Sequence, residues 1–113
     1  MKDLDRIAGW LDELDRTLIL AASLVTRGKD AYDSDPALPL AFEAICNRVG
    51  DLAKELSRAQ PNLFAARLWN AAARNRAFVV HHYEVISHEQ LWVTVSRDFP
   101  LLAAETARVR SRL

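Results

Sequence analysis

Apolar residues recur along this chain at alternating steps of three and four, the period of one face of an α-helix. Leu4, Ile7, Leu11, Leu14, Leu18, Ala21 and Val25 form the first such stripe, with Asp5, Asp12, Glu13, Asp15 and Arg16 between them. Gly28 then suits a helix stop, and the polar stretch from Lys29 to Asp35 reads as a loop. Asp35 before Pro36 reads as an N-cap followed by proline in the first turn of a second helix. That helix carries Leu38, Phe42, Ile45, Val49, Leu52 and Leu56 at heptad-like spacing. Gly50 inside it costs about 1 kcal/mol of helix propensity relative to alanine, a cost that a close neighbouring helix would justify.

Gln60-Pro61-Asn62 breaks the chain, and Asn62 can cap a third helix from about Leu63 to His82. Leu63, Phe64, Leu68, Trp69, Ala71 to Ala73 and Phe78 to Val80 make that helix apolar on much of its circumference. Such a helix is buried centrally or shared with a partner. Ser87 with Gln90 forms a capping box for a fourth helix, whose apolar face is Leu91, Trp92, Val95 and Phe99. Pro100 forces a kink or restart. A short last helix from Leu101 carries Leu102, Ala103 and Val109 and ends in Arg108, Arg110 and Arg112, read as a solvated tail. No strand alternation competes, so the expected architecture is all-α: an up-and-down four-helix bundle with a kinked C-terminal helix, one domain over residues 1–113.

Size and composition agree with a helical globular domain. The chain has 113 residues, 50% of them hydrophobic and 27% charged, with formal net charge zero. Charge is unevenly placed, however. Residues 1–60 hold 8 basic and 11 acidic side chains, and residues 61–113 hold 7 and 4. From Asn62 to Tyr83 there are three arginines and no acid, so positive potential can gather locally despite bulk neutrality. Cys46 is the single cysteine and falls on an apolar helical face, where it reads as a small buried hydrophobe. No metal-ligand spacing occurs, and neither a metal nor a cofactor is expected. A charged, amphipathic start and the absence of any membrane-length apolar run point to a cytoplasmic protein.

The chemistry concentrates between Arg74 and Tyr83, which read Arg-Asn-Arg-Ala-Phe-Val-Val-His-His-Tyr. Arginine holds phosphate through paired donors, and histidine moves protons near neutral pH. Together these residues suit metal-free cleavage of a phosphodiester. Taken alone, His81 would serve as a helix-end cap, Tyr83 as a packing residue and the arginines as ion-pair partners.

Arg76, His81 and Tyr83 resemble the Arg-x4-His-x-Tyr signature of HepT-type HEPN proteins, ribonuclease toxins paired with a small nucleotidyltransferase. Trp69, seven residues before Arg76, matches the family's tryptophan, and Gly50 matches the glycine of its second helix. Leu91-Trp92 and Arg97-Asp98-Phe99-Pro100 resemble the tryptophan and Asp-x-Pro that follow. The resemblance spans about Leu4 to Leu102. It implies a HEPN-like bundle, homodimerisation with motifs side by side, and attack by the RNA's own 2′-hydroxyl. On that resemblance Arg76 and His81 are the catalytic pair, and Arg74 and Asn75 are further RNA or phosphate contacts. Tyr83 is the site of adenylylation by the cognate nucleotidyltransferase antitoxin, and the substrate is tRNA or mRNA.

Two features leave alternatives open. The family usually has a polar residue, most often asparagine, after the motif arginine, where this chain has Ala77. On a straight helix, at about 100° per residue, Arg74 lies about 20° from His81, whereas Arg76 lies about 140° away. Alignment on Trp69 favours Arg76 and helix geometry favours Arg74. The rival readings are a HEPN module that has lost catalysis and serves as the nucleotidyltransferase's partner or substrate, and a helical scaffold unrelated to RNA.

Overall fold

A computed structural model describes residues 2–81 and 87–113, with side chains for residues 3–74 and 87–113. Helix α1 (Lys2–Val25) buries Ile7, Leu11, Leu14, Leu18 and Ala21, as its period requires. The ends of the stripe behave differently: Leu4 is 51% exposed and Val25 is half-buried. Gly28 closes α1 with φ of 92°, a conformation that penalises any side chain.

The next stretch is not a loop. Lys29–Ser34 forms a short helix, α2, because Tyr32 anchors it. Its ring packs on Phe42 and Trp92 at centroid distances of 4.8 and 5.2 Å, and its hydroxyl donates to the His88 carbonyl at 2.6 Å. Burial of this one aromatic, with Lys29 bonded to both Asp33 and Glu89, overrides the polar composition. Burial also pushes the Tyr32 phenol up to about 12. Asp35 then accepts the Ala37 N–H at 3.0 Å, and α3 (Ala37–Ala59) begins directly after Pro36, as expected of a cap. Buried along α3 are Leu38, Phe42, Ile45, Cys46, Val49, Gly50, Ala53 and Leu56.

Helix α4 (Arg67–His81) starts four residues later than the pattern suggests, and Asn62 caps nothing. Phe64 is the reason. The Leu63 and Phe64 N–H groups both donate to the Gln60 carbonyl, making a separate turn that drops Phe64 edge-on against Trp69 at 4.9 Å.

The C-terminal part is one helical run, not a helix followed by a separate short one. Ser87 caps α5 (His88–Val93) by accepting the Gln90 N–H at 3.1 Å. A π-helical turn, Thr94–Asp98, leads directly into α6 (Phe99–Arg110). Proline has no N–H to give the preceding turn, and its ring crowds the carbonyl four residues back. The wider turn absorbs this, with the Phe99 N–H reaching five residues back to Thr94.

Neighbouring helices run antiparallel. Arg48 of α3 bonds Glu13 and Thr17 of α1, while Arg58 and Glu55 share a depression with Asp3 and Arg6. Arg110 of α6 donates to Asp12 and Asp15 of α1 at 2.6 and 2.8 Å. The most extensive interface is α3 with α4, and α6 touches both α4 and α1, closing the ring of an all-α bundle. Among the described residues there is no strand, and no helix is long and apolar enough to cross a membrane. The expected solvated tail is pinned: Arg110 holds α1 and Arg108 is paired with Glu105, leaving Arg112 exposed.

Tyr32→Phe removes one buried hydrogen bond and should cost about 1 kcal/mol in urea denaturation. Tyr32→Ala also removes the ring and should cost about 3–5 kcal/mol. Equal, negligible effects would mean that α2 is not held by this residue.

Candidate functional site

Trp69 sets the rotation of α4. It is fully buried, as is Ala72 nearly so, and together they define the face turned into the bundle. Arg67 and Arg74 stand on the opposite face and are exposed. The backbone stays α-helical from Arg67 through His81, so positions 67, 74 and 81, each seven apart, form one outward stripe that drifts only about 20° per step. Position 76 is seven after Trp69, about 20° from it around the helix axis. Within a single chain, the arginine that shares a face with position 81 is therefore Arg74. Asn75, Arg76, Ala77 and His81 are placed by their backbone in α4, and His82 and Tyr83 lie outside the described residues.

The indole of Trp69 approaches a carboxylate of α6. Its Nε1 falls short of full hydrogen-bond geometry, yet lies close enough to Glu105 to contribute to that group's acidity. The main cause is Arg108, which donates to Glu105 at 2.5 and 2.9 Å and holds its carboxyl below the usual range against the opposing effect of burial.

Arg67 and Arg74 border a groove of about 340 Å³ between α4 and the start of α6. Leu68, Ala71 and Ala72 line one wall, and Asp98, Phe99 and Leu102 the other. Among the described residues, no carboxylate lies within 4 Å of the guanidinium of Arg67 or Arg74. Arg16, Arg48, Arg108 and Arg110, by contrast, are each paired with acids. Asp98 is likewise unpaired and, although it precedes α6, its side chain makes no cap bond.

Spacing and resemblance single out Arg74 but assign no role to Arg67 or Asp98. The signal for Arg67 was present in its seven-residue distance from Arg74, itself seven from His81. That for Asp98 was not, because only the fold brings it beside α4.

Two other features carry no chemistry. A groove of about 470 Å³ between α1 and the π turn is lined by Leu18, Ile19, Val25, Val95 and Phe99, and its one charged residue, Asp15, is bound to Arg110. Cys46 is buried, its thiol pushed up to about 12 by desolvation, as a packing residue should be. Among the described residues no three His, Cys, Asp or Glu side chains converge.

The model of one protein family, described as Ribonuclease HepT-like, matches residues 14–109. No curated protein and no solved structure matches the chain.

Because the Glu105 carboxyl is more acidic in the folded chain, its contribution to stability is full above the usual carboxylate range and is lost as pH falls through the lowered value. Glu105→Gln should lower the denaturation midpoint at neutral pH. Variant and parent should converge as the medium is acidified. A constant difference at every pH would show that this carboxylate is not the acid-sensitive tie.

Proposed function

The chain belongs to the HepT-like ribonuclease family, and from that premise we propose that it is an endoribonuclease toxin that needs no metal. The reaction uses the RNA's own 2′-hydroxyl. His81 takes the 2′ proton, the 2′ oxygen bonds to phosphorus, and the bond from phosphorus to the 5′ oxygen breaks. A proton returned to that 5′ oxygen by His81 of a second chain completes the step. The products are a 2′,3′-cyclic phosphate and a 5′-hydroxyl end. Such a reaction asks for proton transfer and for cations around the pentacoordinate phosphate, which are the residue types present in α4.

One observation carries the reading: the family match covers a helix whose outward stripe joins two unpaired arginines to position 81. Arg74, on the same stripe as position 81, contacts the scissile phosphate. Arg76, the arginine in family register, stabilises the transition state from a site completed by a second copy, and Asn75 adds a polar contact to the RNA. Homodimerisation with the motifs adjacent supplies both proton-transfer groups. The substrate is tRNA or mRNA. Control comes from a nucleotidyltransferase antitoxin that adenylylates Tyr83, adding bulk and negative charge beside the arginines.

Ala77 favours a second reading. Without the family's usual polar residue there, the chain is a non-catalytic bundle that binds the nucleotidyltransferase.

Incubating the purified chain, confirmed unmodified at Tyr83 by mass, with bulk tRNA and mRNA in excess chelator separates the two. The toxin reading predicts cyclic phosphate ends and a loss of about 10²- to 10⁴-fold in rate for His81→Ala. Arg74→Ala and Arg76→Ala should each lose about 10²-fold or more if both touch the reacting phosphate. No cleavage by the bare wild type would sink the catalytic reading and leave the binding module.

A further inference from the structure

Arg67, Arg74 and Asp98 share one groove yet leave their charges unmatched. Arg67 and Arg74 stand on its α4 rim, about 10 Å apart along the axis at 1.5 Å per residue. Asp98 faces the groove from the other wall. Among the described residues none of the three has an ion-pair partner. None serves as a cap either, since Asp98 leaves the first turn of α6 without a side-chain bond. An obvious structural use for these charges is therefore missing.

Two separated cations and one acceptor call for a ligand with the converse pattern, namely anionic groups along one edge and a hydrogen-bond donor on the other. A nucleotide fits that description. Its phosphates offer acceptors to guanidinium forks, and the amino group of adenine, cytosine or guanine offers a donor to a carboxylate. Half-buried Leu68 and Ala71 supply an apolar wall for the flat face of a base. A volume of about 340 Å³ falls at the small end of ligand pockets, suited to a single nucleoside.

The direction of the stripe places this groove relative to the chemistry. Arg67 and Arg74 lie N-terminal to position 81 on the same face, so the groove flanks the reacting position and does not contain it. Resting on the ribonuclease reading above, we infer that this groove is the subsite for a nucleotide neighbouring the cleaved bond. Arg67 and Arg74 hold phosphates, and Asp98 accepts from the exocyclic amino group of the base, which uracil lacks, its one base donor being the ring N3–H. Asp98 thereby gains a role that its position in the Asp-x-Pro motif did not suggest, and Arg67 becomes a positioning residue for RNA.

The test uses the full chain carrying His81→Ala, so that RNA stays intact, with single-stranded oligo(A), oligo(C) and oligo(U) followed by fluorescence anisotropy across a salt series. The parent should bind oligo(A) and oligo(C) about tenfold more tightly than oligo(U). Asp98→Asn, whose amide both donates and accepts, should erase that ranking. Arg67→Gln should weaken all three alike and lower the slope of log affinity against log salt by about 0.7, the value for one phosphate contact on a single strand. Arg67→Lys should restore the slope. Circular dichroism melts establish that each variant folds. If the parent binds RNA but neither the base ranking nor the slope responds, the subsite is overturned while the ribonuclease reading stands. If wild type neither binds nor cleaves RNA, both fall together.

Discussion

The seating of Trp69 is the constraint on which the rest of this molecule depends. A fully buried indole, braced edge-on by Phe64 and directed at the carboxylate of Glu105, can occupy only one rotation of α4. Once that rotation is fixed, the 3.6-residue period decides what faces outward. Arg67 and Arg74 have no freedom to turn into the bundle, and position 81 follows them along the same side. A core contact of ordinary packing chemistry thus sets the placement of the charged face.

Electrostatics elsewhere reinforce that placement. A chain of zero net charge has no general attraction for a polyanion. What matters is which cations are already neutralised. Arg16 and Arg48 are satisfied by Glu13, Arg108 by Glu105, and Arg110 by Asp12 and Asp15. These surface pairs contribute little stability individually, about 0–1 kcal/mol each. They occupy α1, α3 and the end of α6, whereas Arg67 and Arg74 on the exposed side of α4 have no such pair among the described residues. The π turn adds the opposing wall. By accommodating Pro100 inside a continuous helix, it keeps Asp98 beside α4.

Much of this was legible in the sequence, for physical reasons that differ by element. The period of α1, the caps at Asp35 and Ser87, the stop at Gly28 and the burial of Trp69 are local or periodic features, and all are found in the structure. The misses came where a long-range contact overrode local preference. Tyr32 turned a polar stretch into α2 by packing on Phe42 and Trp92. Phe64 delayed the start of α4, and at Pro100, where a kink or restart is expected, the π turn carries the chain on as one helical run. At the candidate site, the arginine stripe follows from spacing alone. The approach of Asp98 does not, since it is made by the packing of α6 on α4. Arg76 and Arg74 remain distinguished by register on one side and by helix face on the other.

The most direct test of the central claim, that the outward side of α4 is the RNA face, is a crosslink map. RNA carrying 8-azidoadenosine would be photocrosslinked to the His81→Ala chain and the attached peptides identified by mass spectrometry. Crosslinks are expected within residues 67–81 and around Asp98, with none on the α1–α3 surface that carries Arg16 and Arg48. Crosslinks concentrated on that α1–α3 surface would contradict it.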